Sequence, residues 1–214
     1  MTARNFSPID QALIQVDQAV RTLFGRPQTT GRRNPSAGIP EADASESGRK
    51  QVARLMRINH TGEVCAQALY QGQALTARLP EVRDRMERSA LEENDHLYWC
   101  ESRIDELGDR KSLLNPLWYA GSFAIGALAG LAGDKWSLGF VVETERQVES
   151  HLESHLAEIP EGDKRTRAIL EEMKADEIHH ATVAKAGGGA PLPAPVKVAM
   201  RLVSKVMTRS VYWV

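Results

Sequence analysis

The sequence predicts an all-α protein whose centre is a bundle of four long helices. Apolar residues recur at helical spacing over long stretches, and no stretch shows the alternation that is typical of a β-strand. Proline and glycine divide the chain into helix-sized segments, most clearly at Pro80, Gly108, Pro160 and Gly187. The 214 residues, 42% hydrophobic and 26% charged, have the size and composition of one globular domain.

Residues 1–48 predict a short helix and a linker. Ser7 and Pro8 form a typical helix start, and apolar residues then follow at helical spacing, which predicts an amphipathic helix over residues 8–24. Residues 25–48 hold four glycines and three prolines without apolar periodicity, and this composition predicts a mobile linker.

Four helices in two hairpins are expected next, at about 49–78, 80–107, 134–159 and 162–187. The turns within each hairpin are tight, whereas about 26 residues, 108–133, separate the two hairpins. Two hairpins joined by one long crossover are the ferritin-like arrangement. Residues 49–190 are therefore predicted to form a ferritin-like four-helix bundle.

The crossover is apolar enough to raise the question of a membrane span. Residues 112–133 carry no charge, and Gly126 and Gly130 have the spacing of a membrane-helix packing motif that soluble helices also use. A span would place the two hairpins on opposite sides of a bilayer. We therefore expect a crossover that lies on the bundle or dips into one leaflet.

Residues 191–214 predict a basic amphipathic helix, at about 196–211. Residues 181–214 carry five basic and no acidic residues, whereas 51–180 carry 15 basic and 23 acidic residues. Apolar residues share the other side of this helix, and four basic residues recur every fourth position: Lys197, Arg201, Lys205 and Arg209. This pattern is typical of attachment to an anionic membrane surface. The alternative is an ordinary helix that packs on the bundle.

Composition and motifs exclude several other classes of protein. Cys65 and Cys100 form no CxxC pair, so they predict small buried groups rather than a structural zinc site. Neither GxGxxG nor GxxxxGK is present, and the net charge of −1 predicts no nucleic-acid partner. The first ten residues do not resemble a secretory signal, and a reducing, cytosol-facing protein is expected.

Two Glu-x-x-His tetrapeptides predict a metal centre. Each lies on the second helix of a hairpin, where i, i+3 spacing places both groups on one face. The first helix of each hairpin adds a glutamate at nearly the same depth, and the two halves are offset by 82 to 84 residues, as in an internal repeat. The candidate ligands are Glu63, Glu93, His96, Glu145, Glu177 and His180.

Four carboxylates and two imidazoles at one level are the pattern of a di-iron or di-manganese carboxylate protein. Two close cations need several anionic oxygens to offset their repulsion, and two imidazoles leave coordination positions open for dioxygen. The alternative is that these residues lie on solvated helix faces without a metal, which requires depth, repeat offset and helix faces to coincide by chance.

The acid on the third helix is chosen by the repeat. Glu143 and Glu145 point about 200° apart, so they cannot share the site. The offset of 82 residues from Glu63 selects Glu145 over Glu143 and over Glu149.

The remaining histidines are assigned outside the ligand set. His60 is expected at a helix start or beside the centre. His151 and His155 favour a solvated face over a second metal site, although His151 is also a candidate to orient a ligand. His179 is expected to be exposed.

Residues 57–73 resemble a known family. Arg-Ile-Asn-His-Thr-Gly-Glu at 57–63 and Ala-Gln-Ala-Leu-Tyr-Gln-Gly-Gln at 66–73 are similar to the signature of the demethoxyubiquinone hydroxylases, di-iron monooxygenases of ubiquinone biosynthesis. The resemblance extends over about 49–214 and implies a ferritin-like fold, two iron ions and the six ligands named above. The family pattern of a histidine six residues after the glutamate also selects Glu145. One departure is Leu152, where some members carry a tyrosine, so an aromatic role there is in doubt.

The resemblance also implies a reaction and a place in the cell. The substrate would be a polyprenylated benzoquinol, 3-demethoxyubiquinol, whose ring is hydroxylated with dioxygen. Attachment would be peripheral, at the cytoplasmic face of the inner membrane, with a ubiquinone-biosynthesis complex or a homo-oligomer as expected partners. The rival interpretations are a ferritin-like ferroxidase or peroxide-detoxifying protein and a noncatalytic membrane adaptor. The basic apolar tail and the uncharged crossover favour the hydroxylase over a soluble cage.

Overall fold

The computed structural model describes residues 7–26 and 28–214, so positions 1–6 and 27 of the predicted N-terminal segment lie outside the described residues. The described part of the chain forms helices and no β-strand, which confirms the all-α prediction. The helices are α1 (Pro8–Phe24), α2 (Glu46–Thr76), α3 (Pro80–Glu106), α4 (Asn115–Leu131), α5 (Asp134–Glu158), α6 (Lys164–Ala186) and α7 (Ala194–Val211).

Helices α2, α3, α5 and α6 form the bundle. The α2–α3 and α5–α6 pairs are the two hairpins, and α4 lies in the crossover between them, so the ferritin-like order is confirmed. Helix α2 begins three residues before its predicted start because the Ser45 hydroxyl accepts a hydrogen bond from the Gly48 amide at 3.2 Å. Helix α6 begins two residues late because Asp163 caps it, accepting from the Thr166 amide at 3.0 Å.

The interior of the bundle is layered. One apolar cluster, which includes Met56 and Trp99, fills one end, and a second, which includes Met86 and Leu138, fills the other. All four side chains are almost fully buried. The polar layer between the clusters contains the predicted glutamates of all four helices. Apolar packing at both ends therefore keeps water from entering this layer along the bundle axis.

The crossover helix α4 lies along α2 at close range. A methyl group on Gly126 would collide with the Leu69 carbonyl, and one on Gly72 would collide with the Phe123 carbonyl. Glycine at these two positions therefore lets the two backbones touch. The crossover helix thus packs closely on the bundle, as one of the two alternatives in the sequence analysis had it. The far side of α4 exposes leucines such as Leu117, which is 67% exposed. No helix in the described ranges is both long and apolar enough to cross a membrane.

The segment over residues 28–45, which we call the strap, lies against α3 and α6. The Thr30 amide donates to Asp95 at 2.8 Å, Arg32 donates to Asp176 at 2.7 Å, and Glu41 accepts from Arg103 at 2.6 Å. The glycine- and proline-rich composition predicted a mobile linker and did not predict these contacts with the bundle.

Helix α7 lies on the bundle surface with its apolar side largely uncovered. Val211 is its one buried residue, whereas Val206 is 61% exposed. The helix begins at Ala194, before Pro195, because proline fits the first helical turn, where no amide donor is needed. Its Lys197 ammonium lies 3.1 Å from a Glu143 carboxylate oxygen and ties the start of α7 to α5.

Candidate metal centre

The polar layer brings all six predicted metal-site residues together. Their side chains form two overlapping groups of four, and within each group one potential ligand atom per residue lies within 4.8 Å of the others. All six residues are buried. The groups are Glu63, Glu93, His96 and Glu177, and Glu93, Glu145, Glu177 and His180.

Glu93 and Glu177 belong to both groups, one from each Glu-x-x-His tetrapeptide. A carboxylate shared by two adjacent sites has the position of a bridging ligand, because each of its oxygens can face a different cation. Among the described residues, three buried polar atoms of this layer face one another without a hydrogen bond of normal geometry: His180 Nδ1 lies 3.1 Å from Glu93 Oε1 and 3.7 Å from Glu177 Oε2. Such atoms are costly to bury unless a cation occupies the space between them. The donor set therefore fits a pair of metal ions.

The electrostatics of the layer also fit cations. Burial and the Glu93 carboxylate raise the pKa of Glu63, and burial and the Glu177 carboxylate raise the pKa of Glu145. Burial opposes charge on His180, yet the facing carboxylates of Glu177 and Glu93 raise its pKa to about 12. Without a metal, the layer thus retains protons that offset the carboxylate charge. Metal ions that bind here must displace those protons.

Each predicted histidine has one ring nitrogen inside the layer and one outside it. His96 Nδ1 lies 2.8 Å from Glu93, and its Nε2 lies 2.8 Å from Asp176. His180 Nδ1 lies 3.1 Å from Glu93, and its Nε2 lies 2.8 Å from Glu92. Metal-binding histidines commonly donate their outer N–H to a carboxylate in this way.

The sequence analysis missed these outer carboxylates, although a signal was present. Asp176 and Glu92 each directly precede the glutamate of a Glu-x-x-His tetrapeptide and contact the histidine of the facing helix. It also missed Tyr70, whose hydroxyl donates a hydrogen bond to Glu145. Tyr70 lies on α2, 75 positions away in sequence, so no local spacing relates the two residues.

The two neighbouring glutamates in the middle of α5 point in different directions, as predicted. Glu145 lies in the metal layer, whereas Glu143 forms an ion pair with Lys197 of α7.

The other histidines differ in part from expectation. The prediction of a solvated face is wrong for His155, which is buried and whose Nδ1 lies 2.9 Å from Asn59 Oδ1. The His151 ring lies 4.0 Å from the His155 ring, and its Nε2 is buried without a hydrogen bond. His60 is buried outside both groups of four, and His179 is exposed as expected. His155 is not solvated because α2 covers this side of α5 at Asn59.

The prediction that both cysteines are buried is confirmed for one of them. Cys100 is fully buried, whereas Cys65 is half-buried and lies in the wall of a cavity.

That cavity opens beside the metal layer. It has a volume of about 350 Å³, and residues of α2, α4, α5 and α7 form its wall. Most of the wall is apolar, with Ile58, Phe140 and Met200 as examples. Glu63 lies at its inner edge, and His151 contributes a polar atom to its side. The arrangement can hold an apolar molecule with one end next to the carboxylates.

Comparison with known proteins identifies the family. The family model described as "Ubiquinone biosynthesis protein COQ7" matches residues 50–211. Two relatives carry the name 3-demethoxyubiquinol 3-hydroxylase: the Nitrosococcus oceani protein, 58% identical over 214 residues and 100% of both chains, and the Alcanivorax borkumensis protein, 61% identical over 219 residues and 99% of each chain. The resemblance inferred from residues 57–73 is confirmed, and the chain belongs to the COQ7 family of ubiquinone biosynthesis proteins.

Proposed function

We propose that this chain hydroxylates the ring of 3-demethoxyubiquinol with dioxygen, at a centre of two iron ions, in ubiquinone biosynthesis. Family membership and the full-length relatives support this reaction. The observation that carries the proposal is the apolar cavity that reaches Glu63 at the edge of a sealed carboxylate layer. A ferroxidase oxidises free iron and gains nothing from an apolar cavity beside its metals.

The proposed ligands are the six residues of the layer. Two bound iron ions would supply the redox chemistry by which dioxygen reacts with an organic ring. The apolar clusters at both ends of the bundle keep water from the ligands, and the Tyr70 hydroxyl holds Glu145 in place. Glu93 and Glu177 would serve both metal positions, Glu63 and His96 would complete one, and Glu145 and His180 would complete the other.

The cavity wall would bind and orient the quinol. Burial lowers the pKa of His151, so its ring is neutral and its unpaired Nε2 is available to a quinol hydroxyl. His155 supports the His151 ring from the next turn of α5. The apolar residues between α4 and α7 would accept the first part of the polyprenyl tail. A neutral wall therefore selects an apolar quinol with one polar end.

We further propose peripheral attachment to the cytoplasmic face of the inner membrane, through α4 and α7. Both helices line the cavity and expose apolar residues outside it, among them Leu117, Leu202 and Val206. A polyprenyl quinol partitions into the bilayer, so a cavity that opens between two such helices receives it without crossing water. The exposed apolar residues of α1 are available to a biosynthetic partner or to a second copy of the chain.

Oxygen labelling tests the proposed reaction. Protein loaded with Fe(II) under anaerobic conditions is mixed with a short-chain demethoxyubiquinol and then with ¹⁸O₂. We expect a hydroxylated quinone that carries one ¹⁸O atom in the new hydroxyl group, and no product from metal-free protein. Oxidation of iron without any labelled quinone would refute the hydroxylase proposal and favour a ferroxidase.

A further inference from the structure

The strap reaches the surroundings of the metal layer through one side chain. The Arg32 guanidinium donates two hydrogen bonds to the Asp176 carboxylate, at 2.7 and 3.3 Å, and a third to Glu172 at 2.6 Å. It also lies over the Trp99 ring, 5.0 Å from the ring centroid. Paired hydrogen bonds from a planar guanidinium fix both the distance and the orientation of a carboxylate. Arg32 therefore holds Asp176 in one position.

Asp176 in turn determines which ring nitrogen of His96 carries the proton. Its carboxylate lies 2.8 Å from His96 Nε2, while His96 Nδ1 faces Glu93, Glu177 and Glu63. A carboxylate at Nε2 keeps the ring proton on that nitrogen and leaves the lone pair of Nδ1 free for a metal. Arg32, Asp176 and His96 thus form one chain of contacts that ends inside the metal layer.

The other histidine lacks comparable support. Its outer partner, Glu92, has a side chain that is 45% exposed, whereas the Asp176 side chain is 22% exposed. Within the described residues, Glu92 has no ion pair except the one with His180. An exposed carboxylate without a fixed partner orients its histidine only weakly. The internal repeat has therefore produced two histidines whose outer carboxylates are held to different degrees.

We propose that Arg32 is a positioning residue for one of the two metal positions, the one formed by Glu63 and His96. It acts through Asp176, and it comes from a segment that precedes the region matched by the family model, residues 50–211. This inference rests on the proposed two-metal centre. It predicts that the two metal positions respond differently when the strap loses the Arg32 guanidinium.

Anaerobic Fe(II) titration of the full-length protein tests the inference. We expect two Fe(II) per wild-type chain, and in Arg32→Ala a loss of at least tenfold in the affinity of one of them, the range seen when an outer partner of a ligand is removed. Arg32→Lys should recover part of that loss, because an ammonium still pairs with Asp176. Arg33→Ala is the matched control, since among the residues that the structure describes Arg33 donates only to the Ala37 carbonyl.

Mössbauer spectra of ⁵⁷Fe(II)-loaded protein provide a second measurement that a general loosening of the fold would not reproduce. One of two iron signals should change in Arg32→Ala, return in part in Arg32→Lys and change in the same direction in Asp176→Asn. Wild-type affinity and spectra in Arg32→Ala, or equal changes in both iron signals, would overturn the inference while leaving the metal centre intact. Failure of the wild type to bind two Fe(II) would refute the proposed centre itself.

Discussion

Replacing Glu145 with glutamine, and comparing it with the same change at Glu143, gives the sharpest test of the metal centre. Glu145 lies in the polar layer with Glu93, Glu177 and His180, whereas Glu143 faces α7 and pairs with Lys197. Glutamine keeps the size of the side chain and an oxygen that can accept the Tyr70 hydrogen bond. The substitution therefore removes one negative charge and little else.

The expected magnitude follows from the closeness of the ligand atoms, which lie within 4.8 Å of one another. At an effective dielectric constant of about 20, two unit charges 4 Å apart interact by about 4 kcal/mol, which corresponds to about a thousandfold in a binding constant. Glu145→Gln should therefore lower the binding constant of one Fe(II) by about three orders of magnitude and abolish turnover. Glu143→Gln loses the ion pair with Lys197 but removes no charge from the metal layer, so it should keep both irons and the activity.

Anaerobic Fe(II) titration and quinol turnover measure both variants. Burial raises the pKa of Glu145, so folding without metal carries the cost of burying or protonating this carboxyl. A neutral amide removes that cost and should not lower the free energy of unfolding of the metal-free protein. Chemical denaturation of the apo variant checks that point and separates loss of metal from loss of fold. Near-normal iron binding in Glu145→Gln, together with loss of iron in Glu143→Gln, would mean that the face of α5 is misassigned by half a turn.

Two further predictions concern the membrane and pH. Reversing three exposed basic residues of α7 to glutamate, Arg201, Lys205 and Arg209, should weaken binding to anionic vesicles by at least about 3 kcal/mol, because each loses about 1 kcal/mol of attraction. Unchanged sedimentation with vesicles would contradict this prediction. Burial lowers the pKa of His155 from 6.5 to about 3, so between these values the unfolded chain binds a proton that the folded protein excludes. Stability should fall by about 1.4 kcal/mol per pH unit as the pH drops through this window, and His155→Gln should reduce that slope in denaturation curves. An unchanged slope would show that His155 is not held neutral.

The bundle and its six polar residues could be predicted because both follow from local spacing. Proline and glycine mark the helix ends, and an i, i+3 pair must share a helix face whatever the rest of the fold does. The internal repeat then relates α2 with α3 to α5 with α6, so the depth of Glu63 and Glu145 follows from counting residues. The errors in helix ends are small and arise from capping by Ser45 and Asp163.

The contacts that cross between helices could not be predicted in the same way. Tyr70 reaches Glu145 from another helix, and Arg32 reaches Asp176 across 144 positions of sequence. Such contacts depend on the relative rotation of packed elements, which apolar periodicity does not specify. The strap shows this most clearly, because its glycines and prolines predict only the absence of helix, whereas its polar side chains determine where it binds.

The two halves of the centre are similar in sequence but differ in their surroundings. The cavity wall between α2, α4, α5 and α7 includes Glu63, and the strap supports His96 from the α3 and α6 side. The proposed metal position at these two residues thus has the apolar cavity on one side and the Arg32–Asp176 pair on the other. The second position, with Glu145 and His180, has Tyr70 and a half-exposed Glu92 as its outer contacts. A repeat that supplies equal ligands to both positions accounts for the proposed two-metal site, but it does not account for where the quinol ring would be presented. That choice is made by residues outside the repeat, the crossover α4 and the terminal helix α7, which place the cavity beside Glu63.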